Sequence, residues 1–173
     1  MIETERLQLR LFTLEDAREV VRYCSNPNLS QYTLNIPQPY YYEDAVNWIN
    51  GHLDAFNNDK IYTFAITLKN SGKLIGSIGL SNHKTNRNGE VGYWIGEEHW
   101  GKGYATEATL AIINFAFNEK NYHRVYARHL KENPASGKVM IKCGLKYEGE
   151  LVDHEYKNGK FYDVMLYGLI KAD

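Results

Sequence analysis

The chain has 173 residues and a nearly balanced charge, with 20 Lys and Arg against 21 Asp and Glu. This length is typical of one domain, and a hydrophobic fraction of 43% is that of a globular protein, which excludes a disordered chain. A formal net charge of -1 provides no extended basic surface, so we expect no nucleic-acid partner. Cys24 and Cys143 are too few and too far apart for a disulfide framework or a paired-cysteine metal site.

The N-terminal sequence is charged from its third residue and has no apolar core, so it is unlike a signal peptide. The longest apolar-rich stretch, residues 108–117, is too short to cross a bilayer. We therefore expect a cytoplasmic protein with no membrane partner, folded as a single domain over residues 1–173. The sequence leaves open whether the protein is a monomer or a homodimer.

The first predicted elements are a strand and an amphipathic helix. Alternating leucines predict that residues 4–12 form a half-buried strand. Thr13, followed by Asp16, then predicts the start of a helix that ends at residues 26–28. Four residues at helical spacing form its apolar face: Ala17, Val20, Val21 and Cys24.

Residues 29–42 are rich in tyrosine and proline and predict an irregular loop before a second amphipathic helix. The predicted inner face of that helix consists of Ala45, Trp48, Ile49, Leu53 and Phe56. Three short-linked strands follow, over residues 61–68, 73–80 and 90–95. Their short connections predict an antiparallel meander.

The next region predicts helices on both sides of a strand. Residues 105–118 form a predicted helix with an apolar face of Ala108, Ile112, Phe115 and Ala116. Residues 124–130 form a predicted strand. Asn133 then begins a short helix with an inner face of Ser136, Val139, Met140 and Cys143, closed by Gly144.

The C-terminal region predicts a β-hairpin of residues 146–155 and 161–170, joined by the turn dipeptide Asn158-Gly159. The predicted element order is therefore β-α-α-β-β-β-α-β-α-β-β. A meander followed by a strand–helix–strand unit indicates an α/β or α+β fold, with a mixed, mostly antiparallel sheet flanked by helices.

The chemically informative segment is residues 91–106, where a strand leads through a glycine-rich loop into a long helix. The first N–H groups of a helix lack intrahelical partners and carry partial positive charge. Gly101 and Gly103 would let several N–H groups converge, which favours a phosphate or pyrophosphate site. The alternative is an ordinary glycine-containing turn. The segment has no GxxxxGK[ST] run, and Thr106 stands where a dinucleotide fingerprint needs Gly or Ala.

This segment resembles the acyl-CoA motif of the GNAT superfamily of N-acetyltransferases, Gln/Arg-x-x-Gly-x-Gly/Ala. Trp100, Gly103 and Ala105 occupy the three defined positions, and Trp100 departs from the usual Gln or Arg. The flanking residues are similar to the Rim-type branch, which acetylates ribosomal protein N-termini. Residues 132–149 are similar to the Asn-x-x-Ser helix and Gly-Phe-x-x-Glu-Gly strand of that branch, with Leu145 in place of Phe.

The resemblance implies a GNAT-like fold that takes acetyl-CoA as acyl donor and needs no metal. It implies that Tyr93, Trp94 and Ile95 present backbone groups to the thioester. It also implies that the loop holds the pyrophosphate through Trp100, Gly101, Lys102, Gly103, Tyr104, Ala105 and Thr106. Further contacts to the cofactor are expected from Asn133, Ser136 and Lys138. Of the lysines that could meet phosphates, Lys102 is favoured over Lys138 and Lys142 because it lies in the loop.

Two catalytic residues are expected from the resemblance. Many GNAT enzymes place a Tyr near the CoA sulfur, but this chain has Met140 at that position. Ser136 lies one turn earlier and corresponds to the serine proposed as the acid in Rim-type enzymes; its alternative role is to cap its helix. Glu90 begins the strand that reaches the thioester and is a candidate base acting through a water, or else a solvated carboxylate.

The acceptor stays open between three interpretations. The first is an N-acetyltransferase for a peptide or protein α-amine, and the second is the same chemistry on a small amine such as a polyamine, an amino acid or an antibiotic. The third is a module that binds acyl-CoA without catalysis, which Met140 and Trp100 would permit. The histidines share no metal-ligand spacing, so no metal site is expected.

Overall fold

A computed structural model describes residues 1–172 of the chain. Its strands are β1 (Ile2–Glu3), β2 (Leu7–Arg10), β3 (Ile61–Leu68), β4 (Leu74–Ser81), β5 (Asn88–Ile95), β6 (Arg124–Leu130), β7 (Lys146–Lys157) and β8 (Lys160–Ile170). Its helices are α1 (Ala17–Cys24), α2 (Pro27–Ser30), α3 (Tyr42–Asn57), α4 (Tyr104–Asn114) and α5 (Pro134–Lys142). Of the helices in this described part, none is long and apolar enough to cross a membrane.

The strands form one 8-stranded sheet in the order β1-β2-β3-β4-β5-β6-β8-β7. All neighbours are antiparallel except β5 and β6, which run parallel. The predicted mixed, mostly antiparallel sheet and the predicted element order are therefore confirmed, with β1 and α2 as additions. The hairpin turn is also confirmed, since Asn158 and Gly159 have φ of 52° and 76°, as a two-residue primed turn requires.

The parallel pair separates partway along its length. Its last paired residues are Glu90 and Tyr126. Beyond them β5 continues to Ile95 in register with β4 alone, while β6 continues to Leu130 in register with β8. The sheet therefore opens between β5 and β6 and leaves a backbone edge of each strand without a strand partner.

Two hydrophobic clusters cover the two faces of the sheet. One cluster packs α4 and α5 onto the strands and includes Ile95, Ile112 and Met140. The other packs α1, α2 and α3 against the sheet and includes Trp94 and Ala45. Trp94 and Ile95 are consecutive residues of β5 but belong to different clusters. Because consecutive strand residues point to opposite faces, the two groups of helices lie on opposite sides of the sheet.

The inner face of α3 differs from the prediction at one position. Leu53 was expected to face the core but is 57% exposed, and His52 is buried in its place. Positions 45, 49, 52 and 56 follow the helical repeat, whereas position 53 falls outside that stripe. The hydrophobicity of Leu53 thus predicted the wrong residue. His52 packs edge-on against Trp48 at 4.3 Å between ring centroids.

We expect His52 to make the protein less stable in mild acid. Burial lowers the pKa of His52 from its ordinary 6.5 to about 4, and neither ring nitrogen has a hydrogen-bond partner. Between these pH values the unfolded chain takes up a proton that the folded chain refuses, so the free energy of unfolding falls by ~3 kcal/mol as pH drops. Urea unfolding at a series of pH values measures this loss. His52→Leu should reduce the slope, and an unchanged slope would contradict the assignment.

Two further differences concern helix ends. The chain does not stay irregular after α1, because the Asn26 side chain accepts a hydrogen bond from the Asn28 N–H at 2.9 Å and begins the short α2. The long helix predicted for residues 105–118 is α-helical to Asn114 and continues as a π-helical turn, Phe115–Glu119. This turn still buries Phe115 and Ala116, as their spacing predicted.

Candidate active site

The open edge of β5 presents backbone N–H groups to the gap in the sheet. Glu90 and Gly96 direct their N–H groups toward β4, at 2.7 Å from Ser81 Oγ and 2.8 Å from the Ile75 carbonyl. Because the N–H groups of successive residues point to alternate edges of a strand, those of Tyr93 and Ile95 point away from β4 and into the gap. Trp94, the third residue expected to present backbone groups, turns its N–H toward β4.

The loop after β5 ends in the N-terminus of α4. Gly101 and Gly103 have φ of 72° and 81°, a left-handed conformation that glycine adopts without strain. The first helical hydrogen bond runs from the Glu107 N–H to the Gly103 carbonyl at 3.0 Å. The N–H groups that precede it in the helix belong to Tyr104, Ala105 and Thr106, and they are available to an anion.

Trp100 and Lys102 both contribute to the loop in ways the motif did not predict. The Trp100 indole N–H donates to the Ile95 carbonyl at 2.6 Å, so this side chain fastens the loop to the end of β5. The Lys102 ammonium donates to the Glu98 carbonyl at 2.9 Å. Trp100 therefore has a structural partner in the position where the family motif has Gln or Arg.

Arg6, near the N-terminus, holds the loop in place. Its guanidinium donates to the Lys102 carbonyl at 2.8 Å and to the Glu107 carboxylate at 2.7 Å. It also lies 4.7 Å from the centroid of the Tyr104 ring. These contacts fix both sides of Gly103, where a Cβ would meet Arg6 Nη2 at 3.3 Å. Arg6 was not predicted from the sequence, because no local pattern indicates a contact with a residue 96 positions away.

A cleft of about 490 Å³ lies beside the start of α4, and its lining includes Arg6, Gly103, Thr106 and Lys142. Of the three lysines considered for phosphate contacts, Lys142 lines this cleft. Lys138 lies on α5, the helix that ends at Lys142, and is exposed. The lining also includes Glu5 and Glu107, and Arg6 is paired with Glu107 at 2.7 Å, so the cleft is lined by two acidic and two basic side chains.

Ser136 lies next to β5 through a side-chain contact. The Tyr93 hydroxyl donates to Ser136 Oγ at 3.2 Å, and the Asn133 amide donates to the same oxygen at 3.2 Å. The side chain of Tyr93 was not expected to contribute, since only its backbone was assigned a role. Burial raises the pKa of Tyr93 to about 12. The structure thus brings Tyr93, Asn133 and Ser136 together.

Glu90 lies on the opposite face of β5 from Tyr93. Its carboxylate forms a two-point ion pair with the Arg128 guanidinium, with N–O distances of 2.8 and 3.2 Å. Arg128 is also 3.5 Å from the Glu155 carboxylate. A carboxylate has about four lone-pair positions, so the Glu90 carboxylate can also accept a hydrogen bond from a water. Across the described residues, 1–172, no three His, Cys, Asp or Glu side chains form a metal-binding group.

The tyrosine-rich loop lies on the Glu90 face. Tyr40 belongs to the hydrophobic cluster that contains Trp94 and the helices α1 and α3. The Lys157 ammonium, near the tip of the β7–β8 hairpin, bonds the carbonyls of Ser30 and Thr33 and so connects the hairpin to this loop. The loop and the hairpin are therefore joined on the Glu90 side of the sheet.

Comparisons with known proteins agree with this geometry. The sequence profile of the acetyltransferase (GNAT) domain family matches residues 6–146. An uncharacterized N-acetyltransferase of Bacillus licheniformis is 33% identical over 98% of this chain and 96% of its own length. The ribosomal-protein-serine acetyltransferase of Escherichia coli is 30% identical over 85% of this chain and 82% of its own length.

A solved structure also superimposes closely. The spermidine N-acetyltransferase of Vibrio cholerae, in complex with CoA and spermine, has a TM-score of 0.82 and 26% identity, and the match covers 96% of each chain. The chain belongs to the GNAT family of acetyltransferases. It is an acetyltransferase, with relatives in the Rim-type branch. These comparisons do not support the non-catalytic interpretation.

Proposed function

We propose that the protein transfers an acetyl group from acetyl-CoA to the N-terminal α-amine of a peptide or protein, by direct attack within a ternary complex. The observation that carries this proposal is the 3.2 Å contact between the Ser136 and Tyr93 hydroxyl groups. It brings a proton donor on α5 to the strand whose free N–H groups face the gap. Backbone donors and a hydroxyl therefore converge where the sheet opens.

The donor site suits acetyl-CoA, which supplies the activated acetyl thioester. The N–H groups of Tyr104, Ala105 and Thr106 bind the pyrophosphate at the start of α4. Gly103 has a φ of 81°, which glycine adopts without strain, and it has no Cβ that would keep the pyrophosphate away from the backbone. Lys142 adds a positive charge in the adjoining cleft.

The chemistry proceeds between β5 and α5. The amine nitrogen forms a bond to the acetyl carbon, and the carbonyl oxygen gains negative charge that the Tyr93 and Ile95 N–H groups stabilise. The carbon–sulfur bond then breaks, and the Ser136 hydroxyl gives its proton to the departing sulfur. The nitrogen releases one proton to water, and water returns one proton to the Ser136 oxygen. No proton is gained or lost overall.

Glu90 serves as the base in this proposal. It lies on the face of β5 opposite Tyr93, on the side of the sheet where the tyrosine-rich loop and the hairpin are joined. An amine that enters there reaches the carbonyl from one face while the sulfur leaves toward Ser136. A water on Glu90 can take up the proton that the nitrogen releases.

We expect an α-amine to be acetylated faster than a lysine side chain. A peptide α-amine has a pKa of roughly 7.7–8.0 and is partly neutral at pH 7, whereas a lysine amine, at roughly 10.4, is almost fully protonated. Glu90 is held in an ion pair with Arg128 and is proposed to act only through a water, so the proposal favours an amine that is already partly neutral. Two peptides of one sequence provide the measurement, one with a free N-terminus and one N-blocked with an internal Lys. The rate on the free peptide should rise with pH to a plateau near the α-amine pKa.

A small polyamine is the second candidate acceptor. The carboxylates of Glu90 and Glu155 flank the single guanidinium of Arg128, so these three side chains together carry one excess negative charge. Such a charge attracts a second ammonium group. Spermidine is therefore included as a third substrate in the assay. A rate on spermidine above both peptides would replace the α-amine proposal, and a faster rate on the N-blocked peptide would refute it.

A further inference from the structure

The Ser136 hydroxyl receives hydrogen bonds from two separate elements. Tyr93 reaches it from β5, and Asn133 reaches it from the residue before α5, each at 3.2 Å. Asn133 occupies the N-cap position of α5, yet its side chain makes no capping hydrogen bond. Its amide is directed to Ser136 instead. Neither contact is part of the acetyl-CoA motif.

Two incoming donors decide the direction of the Ser136 proton. A hydroxyl has one proton and two lone pairs. With Tyr93 and Asn133 donating to both lone pairs, the Ser136 proton cannot point at either neighbour and must be directed away from both. Accepted hydrogen bonds also polarise the O–H group and make it a better donor.

Tyr93 is suited to remain a donor. Its ring packs beside the cluster between the sheet, α4 and α5, and its hydroxyl lies inside that packing. Burial holds its pKa near 12, so the phenol keeps its proton at neutral pH. Met140, which occupies the position of the usual catalytic Tyr, is buried and has no proton to give.

We propose that Tyr93 is a positioning residue that, together with Asn133, orients the Ser136 hydroxyl as a proton donor toward the open edge of β5. This inference rests on the proposed role of Ser136 and extends it to a residue outside the cofactor motif. Tyr93 acts through Ser136 and does not itself protonate the sulfur.

The test is a double-mutant cycle with Tyr93→Phe, Ser136→Ala and the double variant. Loss of one neutral hydrogen bond predicts a fall in kcat of roughly 3- to 10-fold for Tyr93→Phe, with KM for acetyl-CoA unchanged. In the Ser136→Ala background, Tyr93→Phe should cause no further loss, since its effect passes through the hydroxyl. Tyr147→Phe, on the exposed strand β7, is the matched control and should retain full kcat.

Asn133→Asp gives a second, independent measurement. The carboxylate has the shape of the amide but only accepts hydrogen bonds, so it draws the Ser136 proton to itself and should lower kcat by at least about 10-fold. A further loss on adding Tyr93→Phe to Ser136→Ala would mean that Tyr93 meets the substrate directly, which overturns the positioning role. Full kcat in Tyr93→Phe with a slow Ser136→Ala overturns this inference alone. Full kcat in Ser136→Ala overturns the proposed role of Ser136 as well.

Discussion

Ser136→Ala is expected to lower kcat by ~100-fold, the usual loss when a general acid is removed. Without the hydroxyl, the departing thiolate must take its proton from water. The affinity for acetyl-CoA should hardly change, because the pyrophosphate is held at the start of α4 and not by Ser136. Thiol release measures kcat, and calorimetric titration with CoA measures the affinity.

The structure also supplies a control for the capping alternative. A serine that stabilises a helix end bonds a free backbone N–H of the first turn, but Ser136 Oγ bonds Tyr93 and Asn133 instead. Ser136→Ala removes the acceptor of two side-chain hydrogen bonds, so we expect it to lower the free energy of unfolding by about 1–3 kcal/mol while the folded variant keeps its CoA affinity. Ser136→Thr should restore part of the rate because it keeps a hydroxyl. Equal losses of kcat, affinity and stability would show a structural role.

Local patterns in the sequence predicted the elements most reliably. The predicted bounds of β3 and β6 match the structure, because each is a run of alternating or buried residues between clear breaks. The hairpin turn follows from the left-handed conformation that Asn158 and Gly159 tolerate. The prediction that Leu53 faces the core was wrong because the inner face was chosen by hydrophobicity, and leucine is more hydrophobic than histidine. The helical repeat places His52 on the inner face instead.

In the candidate site, too, local features were predictable from the sequence and contacts between distant residues were not. The glycine loop was predictable because its two left-handed glycines and the following helix are adjacent in sequence. The contacts of Arg6 and of the Tyr93 hydroxyl could not be predicted, because Lys102 lies 96 residues from Arg6 and Ser136 lies 43 residues from Tyr93. Contacts of this kind depend on how the strands are ordered in the sheet. Neither periodicity nor a motif carries that information.

The opening of the sheet links the fold to the chemistry. A strand inside a sheet normally uses both edges for hydrogen bonds, which leaves no donor for a ligand. β5 keeps its pairing with β4 but loses β6 after Glu90, so its outer edge becomes a binding surface on a rigid strand. The same strand places Glu90 on one face and Tyr93 on the other, and the proposal assigns the first to the acceptor amine and the second to acetyl-CoA.

Gly103→Val is expected to weaken CoA binding by at least about 10-fold, which corresponds to 1.4 kcal/mol. Gly103 has φ of 81°, where a β-branched side chain is strained. A Cβ would lie 3.3 Å from Arg6 Nη2, so the larger side chain must displace Arg6 or turn toward the anion site. Either movement disturbs the N–H groups that begin α4. Calorimetric titration with CoA measures the change.

Backbone strain alone lowers stability, so the variant needs a matched control. Gly159→Val, in the β7–β8 turn, imposes a similar strain at φ 76° and has nothing within 4 Å of its new Cβ. It should lower the melting temperature to a comparable degree and leave CoA affinity intact. If both variants fold and both bind CoA as the parent does, the loop of residues 100–106 is not the pyrophosphate site. If only Gly103→Val loses affinity, the defect belongs to the start of α4 and not to general destabilisation.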